Sequence, residues 1–162
     1  MAALEVANGL LAKDPNNLGM LILLADYYSE KGEQLDKAEA EAKKALSVLD
    51  SATKPEGVSD EQWQAQNALQ KGLALSALGQ INIQKKDNAT AAQNFKAAAP
   101  LLKSDAGSYA RNQYRLGFAL LNLKKMPEAK AALTEAASLN TPYKALAQDK
   151  LKGLPATTAG KN

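Results

Sequence analysis

RLGFALLNLKKMPEAKAALTEAASLN, residues 115–140, reads as two short amphipathic helices joined at Lys124 to Pro127. Leu116, Gly117 and Leu120 share one face of the first, while Ala129, Leu133, Ala136 and Leu139 recur at spacings of three and four along the second. The product is a helical hairpin with one apolar side. Gly117 beside Leu116 lets two backbones approach closely. Ala129 and Ala136 do the same from the facing helix, where larger side chains would hold the pair apart.

The same pattern recurs on either side. Residues 18–50 place Leu21, Leu24, Ala25 and Tyr28 on one helix, a turn at Lys31 and Gly32, and Ala38, Ala42, Ala45 and Val48 on the next, with one extra residue in the turn. Periodicity disappears over residues 51–58, where Pro55 and Gly57 mark a loop. Ser59 with Gln62 forms a capping-box pattern, so a helix is expected from Asp60. It runs to about Lys86, longer than its counterparts, with Trp63, Leu69 and Leu73 ahead of Leu75, Leu78 and Gly79; Trp63 is expected to pack as core, with ligand stacking as the alternative. Ala91, Phe95, Ala98 and Leu101 supply the partner helix, and Pro100 is expected to kink its last turn. This extended unit spans residues 59–104, and the next spans 108–140.

Beyond it, Thr141 and Pro142 read as an N-cap and first-turn pair for a terminal helix, residues 142–152, which Gly153 and Pro155 stop. Residues 155–162 are expected to form a flexible tail. At the other end, residues 3–17 read as the second helix of a hairpin whose first is missing. The expectation is that the chain begins inside a longer protein and leaves an apolar face there for a neighbour or for self-association.

Composition narrows the class. Valine and isoleucine together number six while alanine is the commonest residue, so propensity favours helix almost throughout. A net charge of +3 with both signs interspersed gives no case for nucleic acid. No apolar run is long enough for membrane insertion, and no signal peptide is expected from the first residues. Zero cysteine removes thiol chemistry, and zero histidine removes the commonest metal ligand and general base. No cofactor, metal or catalytic residue is expected. Ser51, Ala52, Thr53 and Lys54 spell the S-x-x-K of penicillin-binding enzymes, but in a polar loop without its companion motifs. Asn88, Ala89 and Thr90 form a lone glycosylation triplet, a chance-level signal.

Leucine then glycine, a large residue three on, then alanine, large, alanine resembles the tetratricopeptide repeat, here of bacterial type. The resemblance covers 1–154 as an array and implies an all-α, right-handed solenoid of antiparallel hairpins with a C-terminal capping helix. It implies a non-catalytic scaffold whose first helices line a concave groove for a peptide or helix of a partner protein. By repeat position the groove candidates are Ile22, Asp26, Ser29 and Glu30, then Ser76, Gln80, Ile83 and Gln84, then Arg111, Tyr114, Arg115, Phe118 and Asn122. Asn82 and Asn88 stand where the family usually has large residues. One subset of the family grips C-terminal carboxylates with lysine, asparagine and arginine; Ile22, Asp26 and Ala77 depart from that set, and only Arg111 and Arg115 match in type.

Arg111 and Arg115 are the only two arginines, and their spacing of four places both on one helix face beside Tyr114 and Phe118. Two readings follow: a carboxylate or phosphate contact flanked by aromatic surface, or a solvated face whose arginines pair with nearby acids. Charge is also uneven, with seven acids against four lysines over residues 26–50 and nine basic residues against four acids over 103–152. That asymmetry could steer stacking, or reflect solvated faces alone. A structural segment of a longer solenoid or homo-oligomer, and a small-molecule sensor, are the rival functions.

Overall fold

The computed structural model describes residues 2–155, so the tail expected over 155–162 lies, beyond Pro155, outside the described residues. The described residues are all-α, with eight helices and no strand: α1 (Ala2–Lys13), α2 (Leu18–Lys31), α3 (Leu35–Ser51), α4 (Asp60–Gln84), α5 (Asn88–Leu102), α6 (Ala106–Asn122), α7 (Met126–Ser138) and α8 (Tyr143–Lys152).

Short polar side chains set most of the boundaries. Asn17, Asp87 and Asp105 each accept a hydrogen bond from the backbone N–H three residues on, at Met20, Thr90 and Ser108, which removes an orphan donor of α2, α5 and α6. Ser59 and Gln62 make both halves of a capping box at α4. Gly32 ends α2 in the left-handed region at φ 68, and three residues, 32–34, turn the chain into α3. Two boundaries differ from the sequence reading. The α6 helix starts at Ala106, ahead of Ser108, because Asp105 caps it at 2.7 Å. Pro142 is the cap residue of α8 and not part of its first turn, while the Thr141 hydroxyl accepts from the Tyr143 N–H at 3.3 Å. Pro100 lies in the last turn of α5, which continues to Leu102.

Successive helices pack on one another along the chain. In addition the backbones of α2 and α4, α4 and α6, and α6 and α8 approach one another, while odd-numbered helices meet through side chains alone, as Lys37 with Asn8 at 2.9 Å and Lys96 with Glu128 at 2.7 Å. The even helices therefore make one continuous layer and the odd ones cover its back. Burial is spread over four apolar clusters along the molecule, as stacked hairpins require.

Each hairpin closes on a size-matched seam. A Cβ at Gly117 would stand 2.6 Å from Leu133 Cγ, and one at Gly79 would stand 2.5 Å from the Phe95 ring. The close approach expected at Gly117 is thus filled by the facing leucine side chain. At the corresponding position the first hairpin has Ala25, buried in the same cluster as Ala42. At this position of the hairpin glycine faces a large residue twice, and alanine replaces both partners once.

Asn82 and Asn88 find amide partners. Asn94 Nδ2 donates to Asn82 Oδ1, and Asn122 Nδ2 to Asn88 Oδ1, each at 2.9 Å. Trp63 is half-buried and stands apart from the four clusters.

Candidate functional site

The even layer carries the groove candidates, because one helical face repeats every three to four residues and α2, α4 and α6 present theirs to the same side. A cleft of about 360 Å³ opens there. Helix α2 supplies Glu30; α4 supplies Gln80, Ile83 and Gln84; α6 supplies Tyr114, Arg115 and Phe118; α8 supplies Tyr143. Seven of these eight belong to the expected groove set. Tyr143 does not, since the terminal helix reads from sequence as a cap. Its ring lies 5.8 Å from that of Tyr114, tilted by 44°, so α8 also closes one end of the cleft with aromatic surface.

A second cleft, of about 280 Å³, is lined by Ile22, Asp26 and Arg111 together with Gly19, Leu23, Gln70 and Leu73. Asn122 lines neither cleft; its amide is engaged with Asn88 at the end of α6. Ser29 is fully buried, with its hydroxyl donating to the Asp26 carbonyl at 2.7 Å. The Ser29 carbonyl in turn accepts from Gln84 Nε2 at 3.1 Å, tying α4 to the end of α2.

Between the clefts runs a ladder of charged groups. Arg111 Nη1 meets Asp26 Oδ2 at 2.8 Å. Arg115 Nη2 pairs closely with the Glu30 carboxylate and lies 3.4 Å from Asp26 Oδ1, while its Nη1 reaches Ser76 Oγ at 3.4 Å. Asp26 thus accepts from both arginines, one on each carboxylate oxygen. Arg115 is only 6% exposed, whereas the Glu30 side chain is 47% exposed. Burial pulls the Arg115 guanidinium below its ordinary pKa, and the Asp26 carboxylate opposes that shift. Of the two readings of the arginine pair, the geometry matches pairing with acids, with Arg115 buried and Arg111, Asp26 and Glu30 still reached by solvent. The acids come from α2, which no local sequence pattern connects to α6.

The same holds for the uneven charge. Asp36 and Glu39 pair with Lys85, and Asp50 with Lys71, so acids clustered in sequence are partnered by cations on α4, just beyond its end and on α6. Lys43 and Lys85 hold the Glu39 carboxyl below its usual range. Ser51 Oγ donates to the Ser47 and Val48 carbonyls, which leaves the S-x-x-K stretch a helix end. Among the described residues no group of acids, histidines or cysteines is placed to hold a metal ion, and no helix is long and apolar enough to cross a membrane.

A third cleft, of about 420 Å³, is lined by Ala3 and Leu4 of α1 with Leu23, Tyr27 and the charged Asp26, Glu30 and Lys31 of α2, while Val6 and Leu10 of α1 are exposed outside that lining. Neither models of known protein families nor curated proteins match the chain.

Proposed function

We propose that the chain is a tetratricopeptide-type solenoid acting as a non-catalytic protein-interaction module, which receives an extended segment of a partner protein on its even-helix face. The observation that carries this reading is the cleft of about 360 Å³, built from four successive even helices and combining Tyr114, Phe118, Tyr143 and Ile83 with the amides of Gln80 and Gln84. Aromatic and aliphatic walls give an anchoring side chain its affinity, and side-chain amides hydrogen-bond an extended backbone. The volume suits one or two side chains of a peptide, and the adjacent ladder interrupts the path a helix would need. Phe118 is 37% exposed, so part of this apolar surface stands ready for contact.

The test is affinity capture from lysate of the native organism with wild-type protein and a Tyr114→Ala, Phe118→Ala variant, followed by titration of the retained protein and of overlapping peptides from it. Loss of a partner from the variant, recovered on one extended peptide, is the expected outcome. Equal retention by both proteins overturns the reading. Arg111 and Arg115 are poor probes for this purpose, because their substitution disturbs the internal ladder.

The exposed apolar side chains Val6 and Leu10 of α1 and Leu23 and Tyr27 of α2 favour a second reading, self-association through these two helices. Sedimentation equilibrium decides it: a monomer at every concentration tested ends this reading, and a dimer abolished by Val6→Glu with Leu23→Glu upholds it.

A further inference from the structure

Helices α2 and α6 belong to hairpins one and three, and α4 lies between them; nowhere among the described residues do the backbones of α2 and α6 meet. Four side chains nevertheless join them. Asp26 and Glu30 stand four apart on α2, Arg111 and Arg115 four apart on α6, so each helix presents two groups on one face and the four form two rungs. Ser76 of α4 supports the deeper rung from below.

A stack of hairpins is held by contacts between neighbours, and its curvature is soft because each interface can rock by a small angle. A link from the first hairpin to the third removes that freedom at one stroke. The same link is the wall between the two clefts, since Glu30 and Arg115 line one and Asp26 and Arg111 line the other.

We propose that the Asp26, Glu30, Arg111 and Arg115 ladder is a latch: closed, it fixes the separation of the first and third hairpins and divides the even-helix face; released, it opens the array and merges the two clefts into one groove. The physics of ion pairs makes such a latch reversible. Attraction within the closed ladder is offset by the cost of stripping water from Arg115 and in part from Asp26 and Arg111, which brings closed and open states closer in free energy. The apolar seams inside each hairpin have no such compensation and stay shut. A ligand that binds the open face better than the closed one shifts the balance by its difference in affinity. One consequence rests on the peptide-groove reading: the closed face anchors single side chains, and only the open face admits a helix. The latch itself stands without that reading.

The absence of cysteine allows two labels to be placed uniquely. Spin labels at Lys31→Cys on α2 and Asn122→Cys on α6 report the separation by double electron–electron resonance. The wild-type background gives one narrow distance distribution. Asp26→Asn with Glu30→Gln leaves the buried Arg115 cation without its acids, and the latch requires a longer and broader distribution at unchanged helicity. Should that variant fail to fold, Arg111→Met with Arg115→Met removes the cations and leaves Asp26 and Glu30, both in part reached by water, as the unpaired groups, and the same lengthening is expected. A distribution that matches wild type in a folded variant overturns the latch. If distances lengthen while the capture experiment shows no dependence on Tyr114 and Phe118, the latch holds and the peptide reading falls.

Discussion

The seams inside the hairpins and the ladder across them join helices by opposite means. At Gly79 and Gly117 the contact is a missing side chain filled by Phe95 or Leu133, and the same number of residues separates the partners in both cases. Across the even layer the contact is four charged groups from α2 and α6, separated by 85 and 89 residues along the chain. The seams are local, apolar and repeated; the ladder is remote, ionic and single. Repetition makes the array, and the exception to repetition sets how the hairpins stand relative to one another.

The largest effect is expected where a seam is emptied. Phe95 is fully buried, and Phe95→Ala leaves a cavity that Gly79 has no side chain to fill, for a loss of about 3–5 kcal/mol in denaturant unfolding. Phe95→Leu turns the second seam into a copy of the third, Gly79 against leucine as Gly117 is against Leu133, and its cost should stay below about 1.5 kcal/mol. Equal losses for the two substitutions would show that ring shape, and not filling of the glycine notch, holds this seam.

Overfilling comes next. Gly117→Ala adds a methyl 2.6 Å from Leu133 Cγ. Overpacking costs about 1–3 kcal/mol and alanine returns up to about 1 kcal/mol of helix propensity, so a net loss of roughly 1–2 kcal/mol is expected. A stabilised Gly117→Ala protein would mean that Leu133 swings aside freely, and the seam would lose its role. These contacts were legible in the sequence because hydrophobic period, glycine position and turn length are all written within one repeat. The all-α fold and the long α4 with its capping box follow from that local grammar, while most of the residues around the cleft of about 360 Å³ are named only through what the family resemblance implies. The ladder does not. Arg111 and Arg115 stand out as the only arginines, but their partners are set by how three hairpins stack, which no spacing within a repeat encodes. Tyr143 escaped for a related reason, since a terminal helix reads as a cap until its neighbours show which side of it faces the cleft.

Removing the buried cation tests the ladder's other asymmetry. Arg115→Met takes away the group that burial penalises, while Glu30, half-exposed, regains water and Asp26 keeps Arg111. The expected loss is about 1 kcal/mol, smaller than that of emptying a seam, because the acids left behind are paired or exposed and no uncompensated charge stays buried. A loss as large as that of Phe95→Ala would make the ladder a main source of stability and contradict its description as a balanced latch.

The smallest effect has the opposite sign. Glu41 on α3 is 8% exposed, its Oε2 has no hydrogen-bond partner among the described residues, and Lys37 approaches its other oxygen only to 3.9 Å. Burial raises its pKa, with the Lys37 charge opposing. A carboxyl raised in the folded state binds its proton more tightly there than in the unfolded chain, so folding is favoured below the unfolded value, about 4.3, and that advantage is lost as pH rises through the folded pKa. At neutral pH wild type therefore carries an ionised, poorly solvated group that Glu41→Gln lacks. The variant should be more stable at pH 7 by less than about 1 kcal/mol, the gain being limited by the Lys37 attraction it gives up. Lowering the pH to about 4 protonates Glu41 and should bring the two melting curves together. A variant less stable at pH 7 would instead make Glu41 and Lys37 a working pair, so that charge between adjacent turns of one helix would matter here as well as charge between hairpins.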